Sequence, residues 1–159
     1  MLSLFILLQI SFNLVFAQQD SHIKDKIIGN WYYFADVNKN SNFKDYNEIY
    51  FDGNKVQECL EAVGVVHGVK YKIEGDILKI DKKDTIFSYK VESIYLNQFT
   101  LIQNGIKRTF YKVKSRTTLD KVLNNKISDK YYSKAFARRM FKAKKRFNIT
   151  TPKNYYKKH

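Results

Sequence analysis

The sequence predicts a mainly β chain: an antiparallel up-and-down barrel followed by a C-terminal amphipathic basic helix. Three observations predict it. Short apolar runs, separated by Gly, Asn and Asp turn signals, fill residues 24–113. Aromatic residues make up 16% of the 159 residues, a supply that suits a β-rich core. The net charge of +14 is gathered at one end: residues 18–113 hold 14 Lys and Arg against 13 Asp and Glu, whereas residues 114–159 hold 15 against 2. The body is near neutral and the tail is a polycation.

The chain opens with an uncharged apolar run over residues 2–17, ending Val15-Phe16-Ala17 ahead of Gln18. A membrane span needs roughly 20 apolar residues. This run is shorter and ends on a small residue, so residues 1–17 read as an export signal and the expected location is secreted or periplasmic. No Lys or Arg precedes the run, and Val stands at position 15. An uncleaved N-terminal anchor is therefore the alternative. The remainder divides into a barrel domain, 18–113, and a basic helical tail, 114–159. Cys59 is the sole cysteine, so no intrachain disulfide is possible and packing must hold the fold.

Strands are expected in order over 28–35, 46–51, one or two within 55–66, then 69–73, 77–80, 85–91, 99–103 and 106–113. Asp52-Gly53-Asn54 and Glu74-Gly75-Asp76 mark tight turns. Asn104-Gly105 is the strongest hairpin signal, because a type I′ turn needs positive φ at both central positions. Alternation such as Tyr71 and Ile73 against Lys70 and Lys72 gives one buried and one wet wall. Consecutive hairpins favour a meander, and closing it removes exposed edges. The first Pro is Pro152, so nothing before it forbids strand pairing.

After residue 113 the pattern changes period. Thr117 or Thr118 can cap a short helix carrying Leu119, Val122 and Leu123, and Ser128 with Asp129 can cap a longer one running to Phe147. At about 100° per residue, Tyr132, Phe136, Met140, Ala143 and Phe147 share one stripe, with Lys134, Arg138 and Lys145 opposite.

The ordered segments IIGNWYY, NEIYFDGNK, YKIEGDILKI, YKVESIYLNQFTL and GIKRTFYKV resemble the lipocalin-like small barrels of bacteria. The likeness covers roughly residues 27–113 and leaves out the tail. It rests on the first-strand Gly29-Asn30-Trp31, the hairpin meander and an aromatic-basic closing strand. It implies that Trp31 plugs the closed end, with a basic residue of the last strand packed over it. Arg108 and Lys112 are the candidates, and Arg108 is preferred because guanidinium stacks well on indole. The bland alternative is that Trp31 is an ordinary core aromatic. The body is short for a full lipocalin, which leaves open whether the barrel encloses a cavity.

Catalytic chemistry has little to work with. His67 is the one histidine among the expected strands, too few to assemble a Ser-His-Asp or Cys-His site, and there is no phosphate-cradling Gly loop. No metal-ligand spacing surrounds His67, and Cys59 reads as a small buried hydrophobe, with a reactive thiol as the alternative. No catalytic residue, metal or cofactor is expected. The leading expectation is a protein that binds a small apolar or amphipathic molecule, with ligand candidates Trp31, Tyr33, Phe51, Tyr71, Phe87, Tyr89 and Phe110, and Ile49, Ile73 and Leu101 also facing inward. These assignments assume strand registers that a one-residue slip would invert. In the tail, Lys134, Arg138, Arg139, Lys142, Lys145 and Arg146 are candidates for binding anionic lipid, lipopolysaccharide or another polyanion. The second expectation is a non-enzymatic envelope interaction protein, with a solid barrel as scaffold and the basic helix gripping a polyanion or acidic protein.

Overall fold

The computed structural model describes residues 22–36, 43–82 and 84–150. The expected export signal and its cleavage point, and the last nine residues, lie outside the described residues, as does the side chain of His67. A short helix α1 (residues 22–27) leads into eight strands: β1 (Gly29–Asp36), β2 (Lys44–Phe51), β3 (Lys55–Leu60), β4 (Gly64–Glu74), β5 (Ile77–Lys82), β6 (Thr85–Tyr95), β7 (Gln98–Gln103) and β8 (Ile106–Lys112). Two helices follow, α2 (Leu119–Leu123) and α3 (Asp129–Arg146). Each strand is antiparallel to the next, and β8 returns to β1 to close the barrel. The closing seam is short, with Trp31 opposite Lys112 and Tyr32 opposite Tyr111.

The turn chemistry is as the residue types dictate. Asn104 (φ 51°) and Gly105 (φ 76°) both occupy the left-handed region in the β7–β8 hairpin. The stretch from Lys55 to Ile73 is divided differently from the expectation. Gly64, at φ 85°, takes the β3–β4 corner, and β4 then runs unbroken through Gly68. A Cβ at Gly68 would come 2.6 Å from the Gln57 side chain, so Gly lets the two strands approach beside the irregularity between Val56 and Glu58.

Inward side chains of the barrel form one core with α1, including Ile23, Ile27, Trp31, Phe51, Leu78, Phe99 and Phe110. At this closed end Trp31 is 1% exposed, stands edge-on to Phe99 at 4.8 Å, and donates its indole N–H to the Ile27 carbonyl at 2.7 Å. The basic residue over it is Lys112, whose Nζ lies 4.1 Å from the ring centroid and 3.2 Å from the Ile28 carbonyl oxygen. This corrects the preference for Arg108. The β1–β8 register sets Lys112 beside Trp31, whereas Arg108 stacks over Tyr33 at 5.1 Å, nearer the other end. Gly29 serves the same arrangement. Its φ of 124° excludes most side chains, and a Cβ there would meet Lys112 Nζ at 2.7 Å.

The outer wall of β2 is covered as well. Tyr46 and Glu48 alternate with the inward Asn47 and Ile49, yet all four are buried, because α2 and α3 lie across the outside. Tyr132, Met140 and Ala143 of α3 are buried as the stripe requires. Phe147 completes it against Phe34 and Tyr111, at 5.4 and 5.0 Å. Ser128 caps α3 by accepting from the Tyr131 N–H. Thr118, at the N-cap of α2, makes no such bond. Asn30 of β1 supplies it from a distance, accepting from the Asp120 N–H and donating to the Asp120 carboxylate. No helix among the described residues is long and apolar enough to cross a membrane.

Candidate functional site

The strand order gives the barrel two unlike ends. The 52–54, 75–76 and 96–97 turns and α1 lie at the Trp31 end. The 61–63 and 104–105 turns lie at the other, and there the interior is hollow. The cavity measures about 700 Å³. Its wall is mainly aliphatic and aromatic, with Ile49, Phe51, Val56, Val69, Ile80, Leu101 and Phe110 lining it above the packed floor. Phe110 stacks flat on Phe99 at 4.5 Å, which fixes one side of that floor.

Polar groups gather towards the open end: Tyr33, Asn47, Glu58, Lys82, Tyr89, Gln103, Asn104 and Arg108. The Tyr33 hydroxyl donates to Glu58 Oε1 at 2.9 Å, and Lys82 Nζ lies 3.9 Å from Glu58 Oε2. Burial first, and the neighbouring Glu58 second, push the Tyr33 hydroxyl well above the usual phenol range. Tyr89 is also raised by burial, with Arg108 pulling against that and Glu58 adding to it. Both phenols therefore stay protonated and act as hydrogen-bonding groups rather than bases.

Of the seven ligand candidates, Tyr33, Phe51, Tyr89 and Phe110 line the cavity. Trp31 and Tyr71 do not reach it. Trp31 is in the plug beneath, and Tyr71 packs edge-on to Phe51 while its hydroxyl donates to the Asp52 carbonyl at the closed end. Phe87 stands half-buried outside the lining, 5.8 Å beneath Lys82 Nζ. Sequence reasoning missed Glu58, Lys82 and Arg108 as cavity groups. Inward parity on β3, β5 and β8 puts each of them on the same face as an apolar neighbour, which was the available signal.

The tail candidates divide into two groups. Lys134, Arg138, Lys142, Lys145 and Arg146 are exposed along α3. Arg139 is placed otherwise. It turns to the barrel, where its Nε and Nη2 donate to the two oxygens of Glu48 at 2.6 and 2.9 Å. Glu48, 1% exposed, also accepts from the hydroxyls of Tyr46 (2.7 Å) and Tyr132 (2.8 Å). Burial opposes the charged guanidinium, but the hydrogen bonds and charge of Glu48 together outweigh it and hold Arg139 more firmly protonated than usual. Lys144 is likewise buried, donating to Glu61 at 2.7 Å. Periodicity could have found Arg139, since at about 100° per residue it falls about 20° from Tyr132. A cleft of about 400 Å³ runs between α3 and the end of β8, lined by Lys112, Lys114, Arg139, Lys142 and Arg146 over Tyr32, Tyr46 and Tyr111, with no carboxylate in its lining. Cys59 lies in a further cleft beneath α3, and burial raises its thiol to about 11.

No protein family, curated protein or solved structure matches the chain.

Proposed function

We propose that this chain is an exported, lipocalin-like, non-enzymatic binding protein whose barrel holds a small apolar or amphipathic molecule. The cavity carries this reading. About 700 Å³ of mostly apolar-walled space, closed at the Trp31 end and polar at the other, lies within the range of small-molecule sites, roughly 300–1,000 Å³. Removing ligand hydrocarbon from water at about 25 cal/mol per Å² supplies the affinity. Trp31, Phe99 and Phe110 interlock in the floor beneath the cavity. The test is native mass spectrometry of the purified protein together with titration of the neutral fluorophore N-phenyl-1-naphthylamine. A copurified small molecule or saturable fluorophore binding, weakened by the cavity-filling Leu101→Trp, supports the reading. If there is no copurified molecule and no saturable binding, the reading is overturned.

A second reading is favoured by the acid-free cleft beside α3 and by the exposed row Lys134, Arg138 and Lys142. These would seat an anionic surface or polymer while the barrel serves as support. Retention on an anionic matrix that falls steeply between low and physiological salt supports it, and retention indifferent to salt removes it.

A further inference from the structure

The polar groups of the cavity are not scattered; they form one charged layer. Glu58 lies on β3, Lys82 ends β5, and Arg108 lies on β8 opposite Leu101. All three line the same hollow, and Tyr33 and Tyr89 touch the layer electrostatically from β1 and β6. Two of the charged groups are cations and one is an anion. The anion is already engaged: Glu58 accepts from Tyr33, and Lys82 stands near its other oxygen. Among the described residues, Arg108 joins no ion pair. It lies over the Tyr33 ring, a contact that uses the face of the guanidinium and leaves its edge donors available.

Below this layer the wall turns apolar. Leu101 and Phe110 are almost fully buried, and Ile49 and Phe51 face them from β2. A ligand that fills the hollow with hydrocarbon must place its head among Arg108, Lys82 and Tyr89.

We propose that the barrel ligand is an anionic amphiphile, a long-chain carboxylate or phosphate monoester. Its head is seated on Arg108 and Lys82 at the open end and its hydrocarbon lies on Ile49, Leu101 and Phe110. The proposal rests on the binding reading above and sharpens it. A planar fork of N–H donors matches carboxylate and phosphate oxygens alike. The protonated Tyr89 hydroxyl can donate to the same head. A cationic head would meet two like charges with Glu58 already satisfied, and a neutral head would leave the guanidinium edge without an ionic partner.

The experiment is isothermal titration of the purified full chain with four probes of one chain length, each below its micelle concentration: dodecanoate, dodecyl phosphate, 1-dodecanol and dodecyltrimethylammonium. At least one anionic probe is expected to bind tenfold or more tighter than dodecanol, with the ammonium weakest; the better anion identifies the head. Arg108→Gln is expected to remove most of that advantage while leaving dodecanol binding within about twofold, whereas Glu58→Gln strengthens anion binding. Lys70→Gln leaves the preference unchanged, because that exposed cation lies on the outer face of β4. Should all four probes bind within twofold of one another, or should Arg108→Gln and Glu58→Gln both leave the preference intact, the anionic-head proposal is overturned while the cavity reading stands. If no probe binds saturably, the cavity reading itself fails.

Discussion

The Glu48–Arg139 pair makes a sharp prediction about what holds α3 to the barrel. The Glu48 side chain is 1% exposed and that of Arg139 16%, so neither charge is screened by much water. The carboxylate accepts four hydrogen bonds, two from Arg139 and one each from Tyr46 and Tyr132. Removing one member of such a pair leaves the other charge desolvated, at a cost of about 3–5 kcal/mol. Arg139→Met is expected towards the lower end, about 3 kcal/mol, because the two tyrosine hydroxyls still reach Glu48. Against a total stability of about 5–15 kcal/mol this is a large fraction, and it corresponds to a fall in Tm of about 10 °C. Glu48→Gln keeps an acceptor and costs about 2 kcal/mol. The double variant is expected to cost at least about 1.5 kcal/mol less than the two singles combined, since the partners couple directly. Guanidinium unfolding followed by Trp31 emission and by far-UV circular dichroism measures all three. Single costs below about 1 kcal/mol, or additivity within about 0.5 kcal/mol, would show that the pair behaves as an exposed one and that apolar contacts alone hold the helix.

Gly29→Ala is expected to destabilise the protein by about 1–3 kcal/mol, because it forces a side chain into positive φ and pushes Lys112 off the indole; unfolding curves and a shift in Trp31 emission test it, and unchanged emission would refute the contact. Stability is expected to be retained up to about pH 10 and then lost as pH rises. Tyr33, Tyr46 and Tyr132 are all raised by burial, so from about pH 10 their unfolded phenols release protons that the native ones keep. Ultraviolet titration in which every tyrosine ionises near pH 10 in the folded protein would contradict this. With its thiol raised to about 11 and buried, Cys59 is expected to resist iodoacetamide at pH 8 in the folded protein and to react on unfolding; rapid labelling of the native form would show an open thiol.

Much of the architecture was legible from local pattern. The strand rhythm, the Asn104-Gly105 hairpin, the Ser128 cap and the Tyr132–Phe147 stripe are all decided within a few residues, where turn chemistry and periodicity act. What escaped depends on pairing across the barrel. Whether Lys112 or Arg108 lies over Trp31 is set by the β1–β8 register, a contact between residues 31 and 112 that no local signal encodes. Glu48 reads as the wet side of an alternating strand, and only the arrival of α3 turns that side into core. Arg139 reads as a member of a basic surface when charge is weighed before angular position. The hollow was invisible for a related reason: apolar inward residues predict a filled core and a lined cavity equally well, and only three-dimensional volume separates them.

The β1–β8 seam has a consequence for the order in which the protein can be completed during synthesis. Every other strand pairs with its neighbour in the chain, so β1 to β7 can assemble hairpin by hairpin as they emerge. The first and last edges meet only after residue 112 has been made, and they share just two register pairs. Phe147 then packs on Phe34 of β1 and Tyr111 of β8, straddling the join. A nascent chain that has reached Lys112 but not α3 still exposes the Tyr32, Tyr46 and Tyr111 face beside that join. Such a chain carries two strand edges suited to pairing with a second copy. The helical segment that follows the barrel is thus the one that closes the window for strand exchange.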